Sequence, residues 1–174
     1  MMAESYARSF DLPVVVLRPF NTFGPRQSER AIVPTIIRQA LDPKCATVMV
    51  GDTTPVRDLT FVEDTAQAFL AAGSADLEFG HAYNAGSQRA VTISEVLELV
   101  LELTGSKKPV HRDESRLRPP NSEVRALLAN SSRLENATGW RARTDLREGL
   151  RRTIAWWRTR LGEGRVRHEM GYMT

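Results

Sequence analysis

Apolar residues along this chain recur with two periods, and the switches between them outline its elements. In "MMAESYARSF", Met2, Tyr6 and Phe10 stand four residues apart, the spacing of one helix face. So short a helix is marginal alone, and the stretch reads as the tail of a longer one, with Tyr6 as a packing residue. "PVVVLR" follows as an unbroken apolar run, the pattern of a parallel strand covered on both faces. Helical spacing returns between Arg30 and Leu41 and turns Ile32, Ile36, Ile37 and Ala40 inward. "ATVMVG" and "RDLTFV" predict short strands. "EDTAQAFLAAG" predicts a helix with acids in its first turn and Gly73 as its stop.

"HAYNAGS" predicts a strand that ends in a turn. "TISEVLELVLELTG" predicts a helix opened by a capping box, Thr92 with Glu95, and closed at Gly105. "KPVHR" is a short extended piece. "SSRLENATGW" predicts a small helix, with Ser132 and Glu135 in capping-box spacing and Gly139 after it. Leu146, Leu150, Ile154, Trp157 and Leu161 form one stripe of a final helix, beyond which "GEGRVRHEMGYMT" reads as a loose polar tail. Alternating strands and helices predict an α/β fold. The strands are few and far apart for a complete parallel sheet, so they are expected to be part of one.

Composition narrows function more than fold. At 174 residues, 41% hydrophobic and 26% charged, the chain has the profile of a soluble globular protein. No apolar run reaches the roughly 18 residues of a membrane span, and the opening residues lack the basic and apolar regions of a signal peptide. The lone Cys45 has no internal disulfide partner, and a cytoplasmic location is the expectation. The net charge of +3 is modest. Arginines cluster between Arg133 and Arg160, but no RNP-type aromatic motif or zinc-finger spacing accompanies them, so nucleic acid is not an expected partner. His81, His111 and His168 have no carboxylate or serine at a motif spacing, and with Cys45 they lack ligand spacing for a metal.

Three polar segments carry candidate chemistry. "RPFNTFGPRQ" leaves the end of a predicted strand, where open α/β sheets bind their ligands. Asn21 offers donors and an acceptor there, and Arg18 and Arg26 can meet phosphate. The same residues also make an ordinary Gly-Pro turn, and the two readings are evenly matched. In "GDTTPVRDLTFVEDTAQAF", Arg57 beside Asp58 reads by itself as a local ion pair before it reads as a ligand contact. In "RLRPPNSEV", Arg116 and Arg118 suit a diphosphate, which guanidinium binds through paired hydrogen bonds, or else form solvated surface.

With "HAYNAGSQRAVTISEV" and "DLREGLRRTIAWW", these segments resemble, in order and spacing, the carboxyl-terminal part of the extended short-chain dehydrogenase/reductases that act on nucleotide sugars. That family includes the NAD-dependent 4,6-dehydratases and 4-epimerases. The resemblance runs from Met1 to about Leu161, and its specificity lies in five segments in the right order. It implies that the strand before Asn21 belongs to a Rossmann-type parallel sheet and that much of the rest is a substrate-binding lobe. By that resemblance Pro19 and Phe20 lie near the nicotinamide of NAD. Asn21 binds the sugar nucleotide near its diphosphate, and Arg57 and Arg118 contact its phosphates from opposite sides. Val33 and Pro34 wall the base or sugar pocket, while Asn84 and Gly86 match a strand-end turn and are structural. "DESRLRPPNSEV" with "TGWRA" looks closest to bacterial 4,6-dehydratases of nucleotide-linked N-acetylated hexoses, with 4-epimerase as the alternative. The implied partners are a nucleotide diphosphate-sugar and a second copy in a homodimer. Residues 1–29 are expected to hold the end of a dimer helix, a late Rossmann strand and the substrate loop. Residues 30–161 hold the substrate lobe, interleaved with returning Rossmann elements at about 58–86, and 162–174 the tail.

That chemistry also needs residues this sequence does not contain. Its 11 glycines form no G-x-G-x-x-G or G-x-x-G-x-x-G turn, and after Gly162 and Gly164 the third position is Arg167. The family's base is a tyrosine whose pKa is lowered by a lysine four residues on. Here Phe10 stands four after Tyr6, Ser87 four after Tyr83, and Tyr172 has no such position. The expectation is a chain that begins one or two turns downstream of that pair, holds no catalytic residue and is inactive alone. Its rivals from another class are a nucleotide-sugar-binding protein without turnover and an interaction protein with an idle pocket.

Overall fold

The computed structural model describes residues 2–116 and 124–164. In chain order the elements are α1 (Met2–Phe10), β1 (Val16–Pro19), β2 (Asn21–Phe23), α2 (Ile32–Leu41), β3 (Val48–Val50), β4 (Val56–Phe61), α3 (Val62–Ser74) and β5 (Ala82–Ala85). After them come β6 (Ala90–Thr92), α4 (Ile93–Thr104), β7 (Val110–Arg112), a single 3-10 turn (Glu114–Arg116), β8 (Ala126–Leu127), α5 (Ser132–Thr138) and α6 (Leu146–Gly162). The α/β expectation holds. The chain divides into two compact units. One is made of Met1–Thr22, Arg57–Ala90 and Leu127–Asp145, the other of Phe23–Val56, Val91–Ala126 and Leu146–Thr174. Nothing in the hydropathy pattern announced the third contribution, Leu127–Asp145.

In the first unit β1 and β5 pair in parallel, with Val16 opposite Ala82 and Pro19 opposite Ala85. Tyr83 and Ala85 from β5 meet Ala68 of α3, Leu77, Leu134 of α5 and Trp140 in one core, with Val15 and Leu17 packed against it. The expectation that "PVVVLR" is covered on both faces fails: Val16 and Leu17 are half-buried, and Arg18 and Pro19 are exposed. Among the described residues β1 has only β5 beside it, and two strands make too narrow a sheet to bury throughout. The helix stop at Gly73 is also corrected, since α3 runs on to Ser74. Gly139 does end α5, with the left-handed φ of 70° that spares a residue without Cβ. Ser132 is not a cap; Ser131 precedes the helix and makes no side-chain cap. Its hydroxyl is engaged instead with Gly86, accepting from the N–H at 2.9 Å and donating to the carbonyl at 3.2 Å. A further sheet runs β2-β4-β6, with β8 also on β4.

In the second unit α2 buries Val33, Ile36, Ile37 and Ala40, α4 buries Ile93, Val96, Leu97 and Val100, and α6 buries Leu150, Ile154 and Trp157. These three stripes pack on one another. The predicted capping box opens α4: Thr92 Oγ1 accepts from the Glu95 N–H, and the Glu95 carboxylate accepts from the Thr92 N–H. The Thr92 N–H first, and then the Thr92 hydroxyl, which donates to Glu95 Oε2 at 2.8 Å, hold the Glu95 carboxyl below its ordinary range. β3 and β7 pair in parallel from Val48 opposite Val110 to Val50 opposite Arg112. The buried Gln39 ties α2 to β3, accepting from Met49 N–H at 2.9 Å and donating to its carbonyl at 3.1 Å. Lys108 donates to the carbonyls of Gln39 and Asp42 at 2.8 and 2.6 Å, a cation at the C-terminal end of α2 where the helix dipole favours it. Among the described residues no helix is long and apolar enough to cross a membrane.

Candidate functional site

Parallel strands present their ligands beyond the carboxyl end, and the chain leaves β1 at Pro19 directly into β2. Phe20 donates its N–H to the Ala85 carbonyl at 2.8 Å, prolonging the β1–β5 ladder by one step. That bond commits the Phe20 N–H, so the exposed Pro19 is what the strand end leaves open. Asn21 follows as a half-buried residue. Its Nδ2 is buried and has no hydrogen-bond partner among the described residues. A buried donor left so costs about 1–3 kcal/mol. Next along, Thr22 Oγ1 lies 3.0 Å from Thr65 Oγ1, fixing β2 to the start of α3. β2 neighbours β4, which carries the half-buried Arg57 in the same unit as Asn21.

Asp58, read in sequence as an ion-pair partner for Arg57, has another task. It is fully buried and gathers four donors. Its Oδ1 accepts from the Ser87 N–H at 2.7 Å and the Ser87 hydroxyl at 2.6 Å. Its Oδ2 accepts from the N–H groups of Gln88 at 2.9 Å and Ala129 at 3.1 Å. A buried carboxylate is tolerable when donors saturate it in this way. The carboxylate therefore fastens β4 to the turn after β5 and to the segment before α5. Gly86 lies so close beneath that a Cβ there would sit 2.3 Å from the Ala129 Cβ and 2.8 Å from Asp58 Oδ2. The only signal for this clamp in the sequence was an acid in the middle of an apolar strand. Asp64, also buried, repeats the device: it accepts from the N–H groups of Arg143 and Thr144 at 3.1 and 2.9 Å. Asn84 reaches the Asn130 carbonyl at 3.3 Å, in keeping with a structural role for Asn84 and Gly86.

Other sequence candidates are placed as follows. Arg18 pairs with Glu4 at 2.9 Å, which ties β1 to α1. His81 lies 3.0 Å from Glu78 at i−3, and Glu78 also takes Arg133 at 2.9 Å. No serine or second base joins that exposed cluster among the described residues. In the second unit Val33 is 1% exposed in the first turn of α2, and Pro34 beside it is buried. Arg116 is committed to Asp113 Oδ2 at 2.8 Å and the Met49 carbonyl at 3.2 Å. The Ser115 hydroxyl, with the Ser115 N–H and Arg116, holds the Asp113 carboxyl below its ordinary range. Arg26 makes neither a hydrogen bond nor an ion pair among the described residues. His111 is exposed on β7. Arg118 and His168, with most of the expected tail, lie outside the described residues. The structure thus brings Pro19, Phe20, Asn21 and Arg57 into one unit, and Val33 belongs to the other.

Comparison with known proteins gives this arrangement a family. The family model described as GDP-mannose 4,6 dehydratase matches residues 1–153. The trifunctional UDP-glucose 4,6-dehydratase, 3,5-epimerase and 4-keto-L-rhamnose reductase of Arabidopsis thaliana is 32% identical over 160 residues, 90% of this chain and 23% of that one. The structure of RMD from Pseudomonas aeruginosa complexed with NADPH superimposes with a TM-score of 0.82 at 28% identity, over 91% of this chain and 53% of that one. UDP-glucose 4-epimerase with UDP-glucose from Thermotoga maritima gives 0.81 at 28% identity, over 92% and 51%. The chain spans between about a quarter and a half of these relatives' length. Its α/β architecture is theirs: the chain belongs to the NAD-dependent epimerase and dehydratase family of the extended short-chain dehydrogenase/reductases.

Proposed function

We propose that this chain binds a nucleotide diphosphate-sugar and supplies the substrate half of a nucleotide-sugar 4,6-dehydratase. The observation that carries this reading is the buried Asn21 amide, with no acceptor for its Nδ2 among the described residues, on the strand beside the one bearing Arg57. A diphosphate-sugar offers charged oxygens that accept both from an amide such as that of Asn21 and from a guanidinium such as that of Arg57. The same reading gives Val33 and Arg118 to the substrate and Pro19 to the edge of the nicotinamide pocket. Nucleotide-sugar 4-epimerase is the neighbouring activity, and the Thermotoga maritima relative keeps it in view.

NAD is the cofactor this reading implies, and the residues present do not make a seat for it. The 174 residues include no glycine-rich turn for its pyrophosphate and no tyrosine-x-x-x-lysine pair, and the Phe20 N–H is bound to Ala85. No hydride step is therefore routed through this chain, whose part is to bind and orient the sugar nucleotide. Exposed Met2, Tyr6 and Phe10 along one side of α1 agree with a homodimer through that helix. A cytoplasmic location belongs to the same reading.

The test is calorimetric titration of the 174-residue chain with UDP-glucose, dTDP-glucose and GDP-mannose. At least one is expected to bind, and Arg57→Ala or Asn21→Ala is expected to weaken it about tenfold or more, the worth of one charge-assisted hydrogen bond. Added NAD should give no reduced-nicotinamide absorbance. Binding of none of the three would leave an idle pocket and an interaction protein. Turnover by this chain alone would overturn the division of labour.

A further inference from the structure

Within the second unit a cleft of about 410 Å3 is lined by Arg26, Ser28, Glu29 and Arg30 of the loop before α2 and by Trp156 and Arg160 of α6. Of these, Arg26 has no ion-pair partner among the described residues, and Arg160 has only Glu29. The pieces are incompletely matched. Arg160 reaches Glu29 Oε1 only at 3.6 Å, and its guanidinium lies 5.3 Å from the Trp156 ring centroid. Arg160 Nε and Glu29 Oε2 are both buried, and neither has a hydrogen-bond partner among the described residues. One is a charged donor and the other a charged acceptor, and each is costly to bury unmatched. Arg26 holds φ at 67°, a left-handed conformation uncommon for a residue with a Cβ and frequent at binding sites. That backbone sets an exposed cation at the mouth of the cleft.

We propose that this cleft is a second binding site, for a phosphomonoester whose remaining part bears hydroxyl groups. The phosphate dianion accepts from Arg26 and Arg160, as guanidinium groups bind phosphate through several N–H donors at once. A hydroxyl of the same molecule, set apart from the phosphate, donates to Glu29 Oε2 while the phosphate oxygens stay with the arginines; inorganic phosphate has only its own P–OH for both tasks. Trp156 holds the Arg160 guanidinium in place by cation–π attraction. The site shares no residue with the Asn21 and Arg57 pair, so it stands or falls apart from the sugar-nucleotide reading. Hexose phosphates and nucleoside monophosphates both carry the required chemistry.

The test is titration of the full chain with inorganic phosphate, glucose 1-phosphate and UMP, followed by tryptophan fluorescence and by heat. One of the two esters is expected to bind at least tenfold more tightly than inorganic phosphate and to change the Trp156 emission; the tighter one names the source. Arg26→Asn keeps a residue that tolerates left-handed backbone while removing the charge, and should weaken the ester at least tenfold with the circular dichroism spectrum unchanged. Glu29→Gln should erase the preference for the ester over phosphate, and should do so equally in the Arg57→Ala background, where the sugar-nucleotide site is weakened. Inorganic phosphate binding as tightly as either ester, no binding at all, or loss of ester binding with Arg57→Ala but not Arg26→Asn would overturn the proposal.

Discussion

Two acidic side chains sit at comparable depth in the two units and are treated in opposite ways. Asp58 is fully buried and saturated, with four donors between 2.6 and 3.1 Å from its two oxygens. Glu29, its side chain 12% exposed, has one loose ion pair at 3.6 Å and one oxygen without a partner among the described residues. The first arrangement is what a structural carboxylate needs. Every lone-pair direction is used, three of the four donors are backbone N–H groups, and they come from two distant segments of chain. The second cannot be explained by folding, because an unmatched buried acceptor opposes it. The contrast separates polar groups that hold the chain together from polar groups held ready for something else, and Asn21 falls with Glu29.

The largest effect that would sharpen this contrast is at Asp58. Asp58→Ala removes the acceptor from the N–H groups of Ser87, Gln88 and the buried Ala129 and empties a fully buried site, and a loss of about 3 kcal/mol is expected. Urea unfolding measures it, with fluorescence of Trp140 in the first unit as the probe. A loss under about 1 kcal/mol would break the claim that saturation marks a structural group. Gly86→Ala comes next. The added Cβ would stand 2.3 Å from the Ala129 Cβ, so the turn after β5 must shift, at about 1–3 kcal/mol. Gly73→Ala is the internal control: it lies in α3 with nothing within 4 Å of the added carbon, and should stabilise by about 0.5–1 kcal/mol. Equal losses at the two glycines would mean that the close approach at Gly86 is not what holds the turn.

Legibility in the sequence followed the range of the interaction. The helices showed because their stripes are local: Ile36 and Ile37 of α2, or Leu150, Ile154 and Trp157 of α6, lie on the faces their spacing assigns. The capping box of α4 showed for the same reason, its partners being three residues apart. What failed to show depends on distant partners. Asp58 reads as the neighbour of Arg57 until Ser87 and Ala129 are brought to it across 29 and 71 residues. Ser131 is drawn from capping α5 by Gly86, 45 residues away. Leu127–Asp145 joined the first unit through contacts of this kind, with no change in composition at either end. At the candidate site, Asn21 and Arg57 were named through resemblance, since spacing alone left turn and ligand contact evenly matched. The cleft at Arg26 was half legible: the loop arginine stood out, but Trp156 and Arg160 lie 130 residues further on.

The smallest expected effect is the most informative about Glu29. Glu29→Gln removes a charge from a side chain nearly as buried as Asp58, and by burial alone it should matter as much. Its one ion pair among the described residues, however, is long, and the Arg160 side chain is 35% exposed and rests against Trp156, so the arginine is not stranded when the carboxylate goes. Pairs of that kind contribute about 0–1 kcal/mol. The Thr35 hydroxyl that donates to the Glu29 carbonyl at 3.0 Å is untouched by the change. Neutral glutamine also lightens the burden of the unmatched oxygen, since an amide carbonyl is cheaper to bury than a carboxylate. Stability is therefore expected to stay within about 0.5 kcal/mol of the parent, or to rise. A loss approaching that of Asp58→Ala would place Glu29 among the structural carboxylates and remove the reason for reading its cleft as a site.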